Sequence, residues 1–463
     1  MMTASQNAFT AVTRFGLGAQ QGDIAEVSRD PRGWLEAQLK PMYAQNQTLN
    51  SLPSTMEAVQ QLREDNEMKK QARQDAAASM DENSKEMYAD KIKTAQQEMT
   101  QDYIKQVADL TRSAVSSRAP FFERLVQFWR NHFTVSITKP ADRILVTAFE
   151  RDAIRPHVLG NFHDMLRAST RHPAMQIYLD NFHSIGPDSP AGIRQGKGLN
   201  ENLAREIMEL HTLSVTGGYT QKDVTEFAKI LTGWTIDAQG RGDGSGFFFA
   251  PRMHEPGSKT LLGETYHEDG VNEGEEALQA FAQNPSTAKF IATKLARHFI
   301  ADDPPAPAVA TLQAAFMRSN GDLIPVYRTL IALEEAWNPL GKVKTPNDLI
   351  LSLLKATNNA DTIEDKMLVG SFRQLGQMPF SAPSPAGWSD KGADWIGAEA
   401  LLRRINLARL FARGVHTLFD PNELLENTIG PVASSDTRFA VAHAGSTQEA
   451  IALLFSSPEF QRR

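Results

Sequence analysis

The sequence predicts an all-α fold: a large multi-helix domain with a protruding charged helical arm and a small β-hairpin or irregular excursion. Two observations support this prediction. Apolar residues recur at helical spacing through most of the chain. Strand-like patterns are confined to a glycine-rich stretch around residue 245. We therefore predict one domain over residues 1–463, with the arm at 56–118 and the excursion at 237–270 inserted in it.

The first 55 residues are predicted to form short helices. The composition of the next segment is different. Residues 61–110 hold eleven acidic and eight basic residues and contain no Gly or Pro. This composition predicts long, exposed helices with mixed charges at i,i+4, which together form the arm. Two interpretations stay open, a solvated arm without chemistry and a docking arm for a partner protein.

Residues 120–133 have the pattern of a buried helix, because their aromatic and aliphatic side chains fall on one broad helical face. His132 lies on that same face, about one turn after Phe128. A histidine in such a position is either a satisfied core residue or a member of a site.

The most informative stretch is 200–212, which is predicted to be a helix with two stripes. At ~100° per residue, Asn202, Glu206 and Glu209 form a polar stripe beside an apolar one, and His211 falls roughly opposite the glutamates. The apolar stripe consists of Leu203, Ile207 and Leu210. Asn200 is a suitable N-cap, so part of the acidic character is ordinary capping.

The excursion is the least helical part of the sequence. Glycines alternate along 240–246 and precede three phenylalanines, which predicts a β-hairpin or an irregular lid. His254 and Lys259 lie in it, and loops on a helical scaffold are a common place for function. Helices resume at 285, and 380–388 reads as an extended, rigid segment before a last long helix.

The net charge, the length of the apolar runs and the cysteine count exclude several classes of function. The formal net charge is −7 and no basic block occurs, so we expect no nucleic-acid partner. No apolar run approaches the ~20 residues of a membrane-spanning helix. The absence of cysteine excludes thiolate chemistry.

Residues 1–9 lack the pattern of a signal peptide, so we expect a cytoplasmic protein; the alternative is an exported protein whose leader was removed.

Several motifs together suggest a family. The run Phe-Trp-Arg-Asn-His-Phe-Thr-Val at 128–135 and the run 200–212 resemble signatures of a bacterial family catalogued as domain of unknown function 1800. Further matching segments follow in the expected order along nearly the whole chain. They are Asp180-Asn181, 217–220, 232–234, His254 with Lys259, 287–290, 302–305 and 385–388.

The resemblance implies a partner and a compartment but no reaction, cofactor or catalytic residue. Many genes of the family lie beside one for a phosphatase- or sulfatase-like protein, and many members carry an export leader. The sequence departs from the family pattern at Asn284, where histidine is expected, which argues against an essential role for that position.

The first functional hypothesis is a hydrolase that acts on a glycan or an anionic polymer. Glu206 and Glu209 at i,i+3 crowd two carboxylates, which raises one pKa and suits acid–base chemistry. Arg205 holds an anionic group, and His132 and His254 supply a further acid–base group. The same histidines with Glu206 and Glu209 are candidate ligands of a divalent metal. The candidate substrate-binding residues are Asn131, Asn181, Asn202, Trp234 and Lys259.

The second hypothesis is a non-enzymatic helical binding or assembly protein that works with the phosphatase- or sulfatase-like partner. In this case Glu206 and Glu209 are buried partners of arginines that hold the bundle in register. An open pocket lined by Glu206, Glu209 and one histidine favours the enzyme, and carboxylates fully sealed by arginines contradict it.

Overall fold

The computed structural model describes residues 2–78, 82–196, 198–415 and 417–463. Helices account for 64% of the chain and strands for 4%, which confirms the predicted all-α fold. The α-helices of the first half are α1 (Ala4–Thr10), α2 (Asp23–Val27), α3 (Pro31–Glu36), α4 (Gln47–Asn50), α5 (Thr55–Ala78), α6 (Glu82–Ser116), α7 (Pro120–His132), α8 (Asp142–Phe149), α9 (Phe162–Arg171), α10 (Pro173–Tyr178), α11 (Pro190–Gln195), α12 (Asn202–Glu206) and α13 (Gln221–Ile230).

The second half continues the same architecture. Its helices are α14 (Val271–Gln283), α15 (Pro285–Phe299), α16 (Ala306–Arg318), α17 (Leu323–Ala332), α18 (Pro346–Thr357), α19 (Asp365–Leu375), α20 (Ala398–Val415), α21 (Pro421–Thr428), α22 (Ser435–Ala442) and α23 (Thr447–Ser456). The described ranges contain π-helical turns at Ala11–Phe15, Glu150–Ile154 and Ile207–His211. The last of these turns continues α12 directly. It changes the angular positions of the side chains that follow Glu206 around the helix axis.

The predicted arm corresponds to α5 and α6, which pack against each other as a helical hairpin. Within the described residues, the outer part of the arm is mostly exposed. The second half of α6 buries Met99, Tyr103 and Val107 in the core, where the helix packs on α8 and α19. The hydroxyl of Tyr103 donates a hydrogen bond to the carbonyl of Pro379 at 2.6 Å. The base of the arm is therefore part of the main domain.

Two separate antiparallel hairpins form in this region, and the first strand lies just before the predicted excursion. Strand β1 (Trp234–Ile236) pairs with β2 (Phe247–Phe249), and β3 (Lys259–Leu261) pairs with β4 (Glu264–Tyr266). The glycine-rich loop between β1 and β2 closes on Asp237, whose carboxylate accepts backbone N–H groups of Gln239, Arg241 and Gly242.

Buried ion pairs hold the helices in register. Arg155 donates to both carboxylate oxygens of Glu123 at 2.8 Å and lies 3.3 Å from Glu150, and all three side chains are almost fully buried. Asp348 pairs with Arg124 and, at 3.0 Å, with Arg463. Within the described ranges, no helix combines the length and apolar character needed to cross a membrane.

Candidate active site

The acidic helix is shorter than predicted and ends in a π-helical turn. Glu206 is the last residue of α12, and Glu209 lies in the turn that follows. Both side chains are half-buried, and within the described residues neither makes an ion pair or a hydrogen bond. Burial and the neighbouring charge of Glu209 raise the pKa of Glu206. The carboxylates are thus not sealed by arginines.

Arg205 is engaged elsewhere. Its guanidinium pairs with Glu201 at 3.0 Å and donates to the side chain of Gln221, also at 3.0 Å. Glu201 in turn accepts hydrogen bonds from Gln221 and Thr225 on α13. The arginine–carboxylate link that the assembly hypothesis assigned to Glu206 and Glu209 is made by Glu201, while Asn202 is exposed beside it.

His132 joins α7 to the π-helical turn and does not reach the two glutamates through any hydrogen bond. Its Nε2 donates to the carbonyl of His211 at 3.0 Å, and its ring packs edge-on against Trp129 and Phe133. The side chain is 1% exposed, and burial holds its pKa well below the ordinary value. His132 is a neutral core histidine.

His254 and Lys259 anchor the excursion. Nε2 of His254 lies 2.9 Å from Glu273, and its Nδ1 lies 2.9 Å from the carbonyl of Thr232. Lys259 pairs with the other oxygen of Glu273 at 2.9 Å and donates to the carbonyl of Glu255. The side chains of His254, Lys259 and Glu273 are all buried, so this cluster ties the excursion to α14 and is closed to a substrate.

Asn181 and Trp234 are also core residues. The Asn181 amide donates to Gln176 and to the carbonyls of Leu231 and Trp234, which fixes the end of α13. Trp234 is fully buried and packs against Phe247. The predicted substrate contacts of these two residues are not supported by their positions.

The predicted metal site is not assembled. Glu206 and Glu209 lie on a half-exposed face, whereas His132 and His254 are each buried with other partners. Among the residues that the structure describes, no three His, Asp or Glu side chains converge as a metal-binding group.

Asn131, by contrast, lines a cavity of about 70 Å³ between α7, α15, the start of α18 and the segment 377–390. Its side chain accepts from the backbone N–H of Trp388 at 2.7 Å and donates to the Trp388 carbonyl at 2.9 Å. Gly387 has φ +82° and passes so close that an added Cβ would lie 2.4 Å from the Asn131 carbonyl oxygen. Two motifs that are distant in sequence, 128–135 and 385–388, therefore meet here.

The same cavity is lined by a histidine–aspartate pair. His298, on the last turns of α15, donates from Nδ1 to Asp390 at 2.7 Å. Nε2 of His298 has no hydrogen-bond partner in the described part of the chain. The backbone around Asp390 is held by Lys342, which donates to the Asp390 carbonyl at 2.6 Å and pairs with Asp302.

The electrostatics of the pair define its protonation states. Burial lowers the pKa of His298, although the Asp390 carboxylate opposes this effect. Burial alone would raise the pKa of Asp390, but His298, Arg463 and Lys342 lower it to about 2. At neutral pH the pair is therefore a neutral imidazole hydrogen-bonded to a carboxylate. The proton sits on Nδ1, and Nε2 is available as a base.

Two side-chain amides complete the cavity wall. The oxygens of Gln127 and Gln377 accept hydrogen bonds from the side chain and the backbone of Asn347, each at 2.8 Å. The Nε2 donors of both glutamines have no protein partner in the described ranges. Arg124 also lines the cavity, but Asp348 and the carbonyls of Thr13 and Gly16 occupy its guanidinium.

Sequence reasoning missed His298 and Asp390. Helical spacing groups His298 with Phe290, Ile291 and Leu295, a pattern typical of a core face. Asp390 lies 92 residues further along the chain, and no local pattern connects the two. The available signal was the position of Asp390 two residues after the motif 385–388.

Comparison with known proteins now gives the family. A family model described as Protein of unknown function (DUF1800) matches residues 10–462. The chain belongs to this family. The match spans nearly the whole chain and confirms the resemblance drawn from the motifs. Comparisons with curated proteins and with solved structures gave no match. The DUF1800 description assigns no reaction.

Proposed function

We propose that this DUF1800 protein is a hydrolase in which His298 is the general base and Asp390 orients it. The observation that carries the proposal is the 2.7 Å contact between His298 Nδ1 and Asp390, two residues that line the same cavity. Nε2 of His298 is buried and has no hydrogen-bond partner among the described residues. A carboxylate that accepts from Nδ1–H fixes the tautomer and stabilises the imidazolium formed during proton transfer.

The reaction that suits this arrangement is hydrolysis of an ester. Nε2 of His298 takes a proton from water, and the resulting hydroxide adds to the ester carbonyl. The imidazolium then returns the proton to the departing alkoxide, so that one ester and one water give one acid and one alcohol. The amide N–H groups of Gln127 and Gln377 are the donors proposed to stabilise the oxyanion.

The side chains that line the cavity favour a neutral, hydroxyl-bearing substrate, such as an acylated glycan, over an anionic polymer. The donors without protein partners are neutral amides, whereas Arg124 is neutralised by Asp348. Trp388 supplies a partly exposed aromatic surface at the same place. The volume of about 70 Å³ is far below the few hundred Å³ that enclose a whole small ligand. Only the reacting acyl group is proposed to enter.

The first test is the pH dependence of ester hydrolysis by the wild-type protein, measured with short-chain aryl esters and an O-acetylated glycan. The base must be unprotonated to act, so kcat/KM is expected to fall as pH drops through the pKa of His298. Because burial lowers this pKa, the inflection is expected below about pH 6.5. Absence of turnover on every ester would contradict the proposal, as would a rate that rises as the pH falls below about 6.5.

A second candidate function, a helical assembly protein that binds the phosphatase- or sulfatase-like partner, is supported by one surface. Leu401, Leu402 and Ile405 lie on one side of α20 and are 41%, 63% and 42% exposed. Contiguous exposed apolar side chains mark protein-binding surfaces, whereas single ones do not.

The assembly proposal is tested by pull-down of the partner encoded nearby. Leu402→Glu is expected to abolish capture, since it places a charge at the most exposed residue of the apolar face. Leu418→Glu is the matched control, because Leu418 is equally exposed but lies outside this face. Equal capture by both variants would contradict a role for α20.

A further inference from the structure

A second, smaller cavity adjoins the candidate active site. It has a volume of about 20 Å³ and lies between α6, α7 and α18; we call it the inner cavity. Five residues line both the inner cavity and the cavity of the histidine–aspartate pair. They are Gln127, Arg130, Asn347, Pro379 and Phe380. The two cavities therefore share a wall, and the proposed oxyanion donor Gln127 is part of it.

The inner cavity is suited to a nonpolar group. Five aliphatic side chains, each at most 8% exposed, line it beyond the shared wall. They are Val107, Leu110, Ala114, Val126 and Leu351. The polar side chains that also line it already have partners. Arg130 pairs with Glu150 at 2.7 Å. Glu123 accepts two hydrogen bonds from Arg155 at 2.8 Å, and the Thr111 hydroxyl donates to a carbonyl of its own helix. A polar group placed there would lose its hydration without gaining a free partner.

The volume limits the group that enters the inner cavity to about the size of a methyl. A single water molecule needs about 10–15 Å³ on the same measure. The inner cavity, at about 20 Å³, thus takes the methyl of an acetyl group but not the propyl chain of a butyryl group. A longer chain would have to displace side chains of the close-packed core.

Phe380 holds the shared wall in place. Its φ of +53° lies in the left-handed region, which bulky residues rarely adopt, and strained positions of this kind cluster at functional sites. The carbonyl of Phe380 accepts from the N–H of Ile137 at 2.8 Å. The preceding carbonyl, of Pro379, accepts from the Tyr103 hydroxyl at 2.6 Å. The Arg130 guanidinium lies 4.8 Å from the centroid of the Phe380 ring. These contacts fix both the backbone and the ring.

We propose that the inner cavity is the acyl subsite of the hydrolase and that the substrate is an O-acetyl ester. The inference rests on the proposed function, because it places the ester carbonyl at Gln127 and the methyl group behind it, in the inner cavity. Hydrolysis then releases acetate and leaves a free hydroxyl on the alcohol. Esters of longer acids are excluded by the size of the inner cavity.

The dependence of the rate on acyl chain length tests the acyl subsite. kcat/KM is measured for aryl esters that share one leaving group and carry an acetyl, butyryl or hexanoyl group. The wild type is expected to prefer the acetate over the butyrate at least about tenfold, since one methylene in a fitted pocket changes kcat/KM by roughly 10- to 200-fold. Turnover without this preference overturns the inference alone, whereas no turnover of any ester overturns the proposed hydrolase with it.

Leu351→Ala enlarges the inner cavity and is expected to raise the butyrate-to-acetate ratio of kcat/KM about tenfold. Leu354→Ala is the matched control, because Leu354 is also a buried leucine of α18 and is not among the described residues that line either cavity. The ratio does not depend on the folded fraction, so a loss of stability does not mimic the effect. Equal ratios in the two variants would overturn the inference.

Ala114→Val is a second variant that narrows the inner cavity instead of enlarging it. The added methyl groups occupy the space assigned to the acetyl methyl, so kcat/KM for the acetate is expected to fall about tenfold. Circular dichroism at the assay temperature measures the folded fraction by which the rate is corrected. A corrected rate equal to that of the wild type would overturn the inference.

Discussion

Replacing Asp348 with Asn is expected to lower the free energy of unfolding by about 3–5 kcal/mol. The Asp348 side chain is 2% exposed and is the shared partner of Arg124 and Arg463. Asparagine keeps the shape but removes the charge, so two buried guanidinium groups lose their counter-ion. Asp348 also closes the capping box of α18 with Thr345, and the amide weakens this cap as well.

The contribution of Asp348 to stability is also expected to depend on pH. Burial alone would raise the pKa of Asp348, but Arg124 and Arg463 hold it well below the ordinary value. The stabilisation is therefore complete above about pH 4, the unfolded-state pKa, and is lost as pH falls below that value.

Equilibrium urea unfolding of Asp348→Asn and the wild type measures the loss. Asp303→Asn is the control, because Asp303 is exposed and has no ion pair in the described ranges. It is expected to stay within about 0.5 kcal/mol of the wild type. A change of less than about 1 kcal/mol for Asp348→Asn would show that the two arginines do not depend on this carboxylate.

Sequence periodicity was sufficient for the fold class because the helices are amphipathic over short distances. The face that buries Phe121, Leu125 and Phe128 on α7 is visible in the spacing of those residues alone. The charged composition of 61–110 likewise predicted two long helices. It did not reveal that the second half of α6 is buried, because burial there depends on α8 and α19, which are distant in sequence.

The acidic helix shows where periodicity stops being informative. A constant ~100° per residue assumes a regular α-helix, but Ile207–His211 is a π-helical turn. The side chain of Thr212 donates to the carbonyl of Ile207, and the carbonyl of His211 accepts from His132. These contacts come from the end of the helix and from another helix, so they cannot be read from the local pattern.

The candidate active site was only partly predictable for a similar reason. Asn131 was identified through its motif, but its partner is the backbone of Trp388, 257 residues away. His254 and Lys259 have the residue types of a site, yet both are paired with Glu273 of α14 in the core. Residue type indicates which chemistry is available, whereas burial and the identity of the partner decide whether it is used.

The measurement that tests the central claim most directly is kcat/KM for ester hydrolysis by His298→Gln, with His267→Gln as control. Glutamine at 298 retains an N–H donor for Asp390 but lacks the base, and His267 is an exposed histidine outside the cavity. A loss of about 100-fold or more for His298→Gln, with an unchanged melting temperature and full activity in the control, is the predicted result. Equal activity of the two variants would contradict His298 as the general base.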